Sequence, residues 1–242
     1  MSDTLFDVLI LIARPAAGKS EIIRFLKNTS PAQRQARFHV GAIDEIDDFP
    51  MLWTWFEEDD LLAQMGHHRL HTTPDGNFRW TYLWDVLMRR IALEYHKRLR
   101  DYASAAQPVT TLVEFARGKQ HGGFRRAFRH LSPELLSKAA ILYINVSFSE
   151  SLRKNRRRFN PDRPDSILEH GLSDEKMKQL YAESDWSEIT QGKPSGFLTI
   201  KGIQVPFVVF ENEDDVTTPG GEPLGQRLEQ ALRTLWKLYC PF

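Results

Sequence analysis

"Ala13-Arg14-Pro15-Ala16-Ala17-Gly18-Lys19-Ser20" is the segment of this 242-residue chain that most strongly predicts its fold. It follows the apolar run Phe6 to Ala13 and precedes a helical pattern over Glu21 to Asn28. It matches the pattern G-x-x-x-x-G-K-[ST], except that Ala13 stands where the pattern has its first glycine. In such a loop, successive backbone amides and the start of a helix point at a bound phosphate. We therefore predict a phosphate-binding loop here; the alternative is a chance Gly-Lys-Ser sequence at a helix start.

Short apolar runs separated by longer amphipathic stretches indicate a parallel sheet with crossover helices. Most of the runs are continuously apolar, as strands covered on both faces must be. A small hairpin turning at Lys201-Gly202 is predicted before the last run, and a covering helix after it, over Leu224 to Tyr239. The runs are Phe6 to Ala13, Phe38 to Ile43, Thr111 to Ala116, Ile141 to Val146 and Val205 to Phe210.

The composition excludes several classes of protein. Lys plus Arg number 32 and Asp plus Glu number 32, so the formal net charge is zero, which argues against a general nucleic-acid binder. The single cysteine, Cys240, excludes an intramolecular disulfide and a thiolate metal cluster. No apolar run approaches the ~20 residues of a membrane-spanning helix, and the first residues lack the basic region of a signal peptide. We expect a globular protein with no membrane partner in a reducing, cytoplasmic compartment.

With these features the chain resembles the P-loop kinases, the adenylate-kinase-like branch of the P-loop NTPases. The phosphate loop carries the resemblance, and the order of the elements extends it over most of the chain. The resemblance implies an α/β fold: a three-layer sandwich with a mainly parallel five-stranded sheet in the order 2-3-1-4-5, as a single domain over residues 1–242. It also implies a helical acceptor-binding insertion at residues 45–105 and an arginine-rich lid at residues 149–172.

The cofactors implied are ATP and Mg²⁺. Lys19 would reach the β- and γ-phosphates, and the Ser20 hydroxyl would ligate Mg²⁺. After the last strand, Asn212 is the candidate contact to the adenine base, although an acidic turn explains Glu211 to Asp215 equally well. The other loop residues expected to bind the nucleotide are Arg14, Pro15, Ala16, Ala17 and Gly18.

Acidic residues follow the second apolar run, where the carboxyl ends of strands form ligand sites in open α/β sheets. The resemblance suggests Asp44 as the catalytic base and Asp47 as a contact to the phosphoryl acceptor. One alternative is a helix N-terminus carrying acids that its dipole favours. Another is a Walker B element of the AAA type, which Ile43-Asp44-Glu45 resembles but at too early a place in the chain.

The third run carries Glu114 within its apolar residues and ends near Arg117. A glutamate inside such a strand is costly unless its charge has a partner. The resemblance implies that Glu114 holds Mg²⁺ and that Arg117 contacts the acceptor. The alternative is a strand-end ion pair between these two side chains.

A basic segment follows the fourth run. Guanidinium groups suit the oxygens of a transferring phosphoryl group, and the lid of P-loop kinases supplies such arginines. We nominate Arg153 and Arg157 as catalytic; the alternatives are a solvated basic helix and an RNA-binding patch. The segment contains Arg153, Lys154, Arg156, Arg157, Arg158 and Arg163.

The predicted function is ATP-dependent transfer of the γ-phosphoryl group to a small-molecule acceptor. The insertion carries several aromatic residues, which predict a helical core or a site for a ring-containing acceptor. His67, His68 and His71 lack the spacing of a zinc site. Two other functions stay open, namely a slow ATPase switch and a nucleic-acid-end kinase, the latter weakened by the zero net charge. The sequence does not decide between a monomer and a homodimer.

Overall fold

The computed structural model describes residues 5–102, 104–105, 107–158, 162 and 171–240. The six strands are β1 (Val8–Ala13), β2 (Ala42–Asp47), β3 (Val109–Phe115), β4 (Ala139–Asn145), β5 (Ser195–Ile200) and β6 (Ile203–Glu211). A 3₁₀ turn spans Lys119–His121. The helices are α1 (Lys19–Asn28), α2 (Pro31–Phe38), α3 (Asp48–Gln64), α4 (Leu83–Tyr102), α5 (Gly123–Phe128), α6 (Pro133–Leu136), α7 (Phe148–Arg158), α8 (Asp174–Tyr181), α9 (Trp186–Thr190) and α10 (Gly221–Tyr239).

The strands form one sheet in the order β2-β3-β1-β4-β6-β5. All neighbouring pairs are parallel except β5 with β6. The parallel strands therefore follow the predicted order 2-3-1-4-5, and the α/β fold class is confirmed. The additional strand, β5, is the first arm of the predicted hairpin, which turns at Lys201 (φ 52°) and Gly202 (φ 79°) before β6. Positive φ at both central residues is what a tight hairpin turn requires.

Helices cover both faces of the sheet and make it the central layer of three. On one face, buried residues of α1, α2 and α10 pack against β1 and β4, including Ile22, Phe38 and Leu228. On the other face the covering helices are α4, α5 and α6, represented in the core by Ile91, Phe128 and Leu135. Strands β1 and β4 are buried on both faces, which explains their continuously apolar sequences.

The second strand lies elsewhere than the apolar run suggested. Phe38 is the last residue of α2, and His39 ends that helix in the left-handed conformation at φ 55°. Strand β2 then runs from Ala42 to Asp47, so its sequence AIDEID is mostly polar. Because β2 is an edge strand and only partly buried, it tolerates carboxylates that a central strand would exclude.

The predicted insertion at residues 45–105 contains three different parts. Residues 45–47 belong to β2, and α4 covers the sheet through Met88, Ile91 and Tyr95. Only α3 and the connection to α4 form an addition to the sandwich, with a small core of their own around Trp55, Leu83 and Leu87. Of the surrounding aromatic residues, Trp80 and Tyr82 are exposed and stack on each other at 6.2 Å.

A buried carboxylate fastens the connection between α3 and α4. Asp59 on α3 is fully buried. Its oxygens accept hydrogen bonds from the backbone amides of Leu70, His71 and Thr72 and from the Thr72 hydroxyl, at 2.6–2.9 Å. Burial by itself would raise the pKa of Asp59, but the four hydrogen bonds outweigh it and lower the pKa to about 2.

We expect Asp59→Ala to lower the stability of the folded protein by about 3 kcal/mol at pH 7, because four buried donors lose their acceptor. A loss of that size lowers Tm by about 6–12 °C in a domain this large. The folded-state pKa lies below the unfolded value of 3.8. The contribution of Asp59 is therefore present above pH ~4 and is lost as the pH falls toward 2.

Thermal melts of the variant and the wild type from pH 7 to pH 3 test this expectation. Asp60→Ala is the matched control, since the neighbouring carboxylate is exposed and forms only a surface ion pair with Arg69. Equal melting temperatures for the Asp59 and Asp60 variants would contradict the expectation.

None of the helices in the described part of the chain has the length and apolar composition required to span a bilayer.

Candidate active site

The predicted phosphate loop connects β1 to α1 at the carboxyl edge of the sheet. Ala16 and Gly18 both have positive φ, 54° and 112°. The backbone amides of residues 16–20 donate no hydrogen bond within the described residues. The Nζ of Lys19 likewise has no ion pair or hydrogen bond among them. Five unpaired amides and a lysine at a helix start form the arrangement that binds an anion.

The outer side of this loop is tied to the elements that follow β4. The Arg14 guanidinium donates to the carbonyls of Val146, Tyr181 and Ala182 at 3.0–3.4 Å. The Ser151 hydroxyl on α7 donates to the Pro15 carbonyl at 2.7 Å. The Arg14 side chain therefore anchors the loop to its surroundings, and only its backbone is left for the predicted contact with a nucleotide.

Two carboxylates lie side by side at the ends of the neighbouring strands. Asp47 is the last residue of β2, and the parallel register places it beside Glu114 of β3. Both residues share the sheet face covered by α1, because their strand neighbours Ile43 and Leu112 pack into that core. The pair therefore lies on the same side of the sheet as Lys19, the first residue of α1.

The pKa values of both carboxyl groups are raised, chiefly by burial. Burial raises the pKa of Asp47 to about 8, and the charges of Glu114 and Asp48 act in the same direction. Burial also raises the pKa of Glu114, while the charges of Lys19 and Arg158 oppose that change. The Oε2 atom of Glu114 is buried and has no hydrogen-bond partner among the described residues. Such a pair holds a proton or attracts a cation at neutral pH.

Asp44, the predicted catalytic base, lies outside this site. It precedes the strand end by three residues, so the alternation of side chains places it on the opposite face from Asp47. Its carboxylate accepts from the Arg98 guanidinium and the Tyr102 hydroxyl of α4, both at 2.5 Å. The structure therefore places Asp44 in contact with α4, away from the loop before α1, and Asp47 is the carboxylate at the strand end.

Arg117, the predicted acceptor contact, is buried instead. Its guanidinium is paired with Asp48 at 2.6 Å and stacks over the Trp84 ring at 4.9 Å. Only 3% of Arg117 is exposed, so the side chain supports the site from behind. The alternative ion pair between Glu114 and Arg117 does not form either, since Arg117 is paired with the first residue of α3.

The carboxylates also cap the helix that follows β2. The Asp47 side chain accepts from the Phe49 amide at 2.9 Å as the N-cap of α3, and Asp48 occupies the first turn. Acids at a helix start, one of the alternatives for this segment, are therefore present together with the strand-end pair.

The basic segment forms α7, and its arginines point in different directions. Arg153 is bound to Glu150 and Asp215, at 2.7 and 3.0 Å, and Arg157 is exposed. Arg158, which the sequence did not single out, acts electrostatically on Glu114. The inward face of α7 carries the buried residues Ser151, Lys154 and Asn155. Most of the predicted lid loop, including Arg163, lies outside the described residues.

Asn212 lies behind the phosphate loop. It is completely buried, and its amide donates to the Ala17 carbonyl and the Thr217 hydroxyl, each at 2.8 Å. The Asn212 side chain therefore supports the loop from behind, and its direct contact with an adenine base stays a prediction.

The histidines of the α3–α4 connection do not form a metal cluster. His71 stacks on Trp55 at 5.1 Å, and no group of three potential ligand residues among the described residues is placed to hold a metal ion. A cation at the Asp47–Glu114 pair would therefore need further ligands from a bound molecule.

No family model and no curated protein matches the chain. A solved gluconokinase from Sinorhizobium meliloti 1021 is similar in structure over 97% of each chain, with a TM-score of 0.44 and 12% sequence identity. A similarity at this level says nothing about the substrate of the present chain.

Proposed function

We propose that this protein transfers the γ-phosphoryl group of ATP, with Mg²⁺, to a hydroxyl group of a small-molecule acceptor. One observation carries the proposal: a phosphate loop with unpaired amides and the lysine Lys19 shares one face of the sheet with the carboxylate pair Asp47 and Glu114. The loop supplies a place for the donor phosphates, and the pair supplies groups for a cation and an acceptor hydroxyl.

The donor nucleotide is bound through its phosphates. The amides of residues 16–20 surround them, and Lys19 lies at the start of α1 beside the β- and γ-phosphates. Phosphates bring their own negative charge close to Asp47 and Glu114. Cations are required to balance that combination; the charge of Lys19 acts on both carboxylates and that of Arg158 on Glu114.

The residues present are suited to Mg²⁺. The buried Oε2 of Glu114 has no hydrogen-bond partner among the described residues, and the Ser20 hydroxyl lies at the exposed start of α1. Mg²⁺ is usually held by one or two carboxylates together with substrate phosphates, which agrees with a site that has too few protein ligands by itself. When bound, Mg²⁺ would neutralise charge on the β- and γ-phosphates.

Asp47 takes the role of orienting the acceptor hydroxyl and accepting its proton. Its elevated pKa of about 8 lies close to neutral pH, where a general base is most effective. Nearby positive charge favours the ionised form of a carboxyl group. The charge of Lys19 acts on Asp47 in this direction and favours the carboxylate that accepts the proton.

Release of ADP from ATP·Mg²⁺, measured across nucleoside, nucleoside-monophosphate, sugar and amino-alcohol acceptors, tests the proposal. We expect release to rise with one acceptor class, because the carboxylate pair is placed to position a hydroxyl. Slow ADP release that is the same with every acceptor would contradict the proposed kinase activity and support a slow ATPase switch. ADP release that oligonucleotides stimulate, with a stimulation that weakens as the salt concentration rises, would support a nucleic-acid-end kinase.

The metal site gives a separate prediction. In Glu114→Gln, the Mg²⁺ concentration for half-maximal ADP release rises about tenfold or more, since a carboxylate ligand becomes a neutral amide. Titration of Mg²⁺ at fixed ATP measures this. Glu45→Gln is the control, because Glu45 lies on the same face of β2 but is paired with Lys27. Equal Mg²⁺ requirements in the two variants would remove Glu114 from the metal site.

A further inference from the structure

A buried polar network connects α7 to the phosphate loop through the loop that follows β6. The Lys154 ammonium on α7 is 6% exposed and donates to Asp215, at 2.5 Å, and to the Thr217 hydroxyl, at 3.1 Å. Asn212 donates to the same hydroxyl and to the Ala17 carbonyl, at 2.8 Å each. The network therefore runs from a lid-side helix to the backbone of the phosphate loop.

The direction of each hydrogen bond in this network is fixed by its chemistry. Lys154 and the Asn212 amide nitrogen are donors only, so the Thr217 oxygen accepts from both. Its single proton is then directed to the Asp215 carboxylate, at 3.4 Å. Thr217 is 2% exposed and has the one hydroxyl at the centre of the network. An isosteric side chain without that hydroxyl leaves two buried donors short of an acceptor.

The network acts on the orientation of backbone amides. In a trans peptide the carbonyl and the amide proton point in opposite directions. Asn212 holds the Ala17 carbonyl on the outer side of the loop, so the Gly18 amide faces inward. Ser151 does the same for the Pro15 carbonyl and the Ala16 amide. Two amides of the phosphate site are therefore oriented from outside.

The backbone of Gly18 packs closely against the side chains of Thr217 and Asn212. A Cβ atom placed on Gly18 would lie 2.5 Å from the Thr217 hydroxyl oxygen and 2.9 Å from the Asn212 amide nitrogen. Gly18 thus has a second reason to be glycine besides its φ of 112°. The loop after β6 rests directly on the backbone that would surround a phosphate.

We propose that Thr217, Asn212 and Lys154 are positioning residues that hold the amides of the phosphate loop toward the polyphosphate of the nucleotide. The inference rests on the proposed function for its ligand. It adds that phosphate affinity depends on a hydroxyl that does not itself touch the nucleotide, and that α7 and the loop share one set of hydrogen bonds.

The test compares Thr217→Val, which removes the hydroxyl, with Thr217→Ser, which keeps it. Calorimetric titration with ATP·Mg²⁺ and with tripolyphosphate·Mg²⁺ measures binding to the intact protein. We expect Thr217→Val to weaken both ligands about tenfold or more and Thr217→Ser to stay within about twofold of the wild type. Thr234→Val, on the exposed face of α10, is the control for loss of an ordinary threonine hydroxyl.

A second measurement does not need a ligand. The NMR order parameters of the Ala16 and Gly18 amides report their mobility in the free protein, and we expect them to fall in Thr217→Val but not in Thr217→Ser. Should Thr217→Val fail to fold, Ser151→Ala removes the other support, and its Ala16 amide should lose order in the same way.

The outcomes separate this inference from the proposed function. Wild-type protein that binds neither ATP nor tripolyphosphate would refute the nucleotide site, while the order parameters would still decide the positioning role. Wild-type binding that Thr217→Val retains, with unchanged order parameters, would overturn the inference and leave the proposed function standing.

Discussion

Lys19→Ala is expected to lower the rate of phosphoryl transfer by at least ~10³-fold. Lys19 has no ion pair or hydrogen bond among the described residues, so its charge is available to the donor phosphates. Alanine at this position leaves the phosphates beside Asp47 and Glu114 with less opposing charge. ADP release from ATP·Mg²⁺ with the best acceptor measures the loss.

The control for this substitution lies on the same helix. Lys27→Ala removes an exposed α1 lysine that is paired with Glu45, and we expect its rate to stay within about twofold of the wild type. Melting temperatures of the two variants show whether folding is affected. If Lys19→Ala kept a tenth or more of the wild-type rate, the nucleotide site would have to lie elsewhere on the chain.

Asp47→Asn is expected to lower the rate by about 10²–10⁴-fold, the usual contribution of a general base. Asparagine is nearly isosteric and is as good an N-cap as aspartate, so α3 keeps its start. Asp44→Asn is the matched control: it is an acid-to-amide change on the same strand, three residues earlier and on the other face. A larger rate loss in Asp44→Asn than in Asp47→Asn would show that Asp44 is the catalytic base, as the sequence suggested.

The same substitution has an opposite effect on stability. Burial beside Glu114 raises the pKa of Asp47 to about 8, above the unfolded value of 3.8, so the folded state binds more protons between these two pH values. The stability contributed by Asp47 therefore falls as the pH rises from about 4 to about 8. An asparagine does not ionise and escapes this loss.

We therefore expect Asp47→Asn, without metal or nucleotide, to be more stable than the wild type at pH 8 by at least about 1 kcal/mol. The Tm then rises by about 2–4 °C. At pH 4 the two proteins should melt together. Thermal melts in a chelating buffer test both statements, and a variant that is less stable at pH 8 would contradict the assigned pKa shift.

The position of the predicted phosphate loop between β1 and α1 and the order of the parallel strands could be predicted from the sequence. Continuously apolar, partly β-branched runs indicate strands covered on both faces, and a glycine-containing turn before Lys19 and Ser20 is typical of a strand-to-helix connection. The hairpin at Lys201 and Gly202 was equally readable, because a two-residue turn between strands is a local property. The position of the edge strand β2 was predicted incorrectly: it begins at Ala42 and not at Phe38. Its polar sequence is a weaker signal for a strand than the apolar sequence of a buried one.

Contacts between polar side chains from different elements could not be predicted from the sequence. The choice between Asp44 and Asp47 depended on where β2 ends and on which of its faces α1 covers. The surroundings of the α7 arginines also depended on packing: Arg153 pairs with Glu150 and Asp215, while Arg158 acts electrostatically on Glu114. Asn212, Thr217 and Lys154 come from segments far apart in the chain. Contacts of this kind arise from packing between elements, which no local pattern encodes.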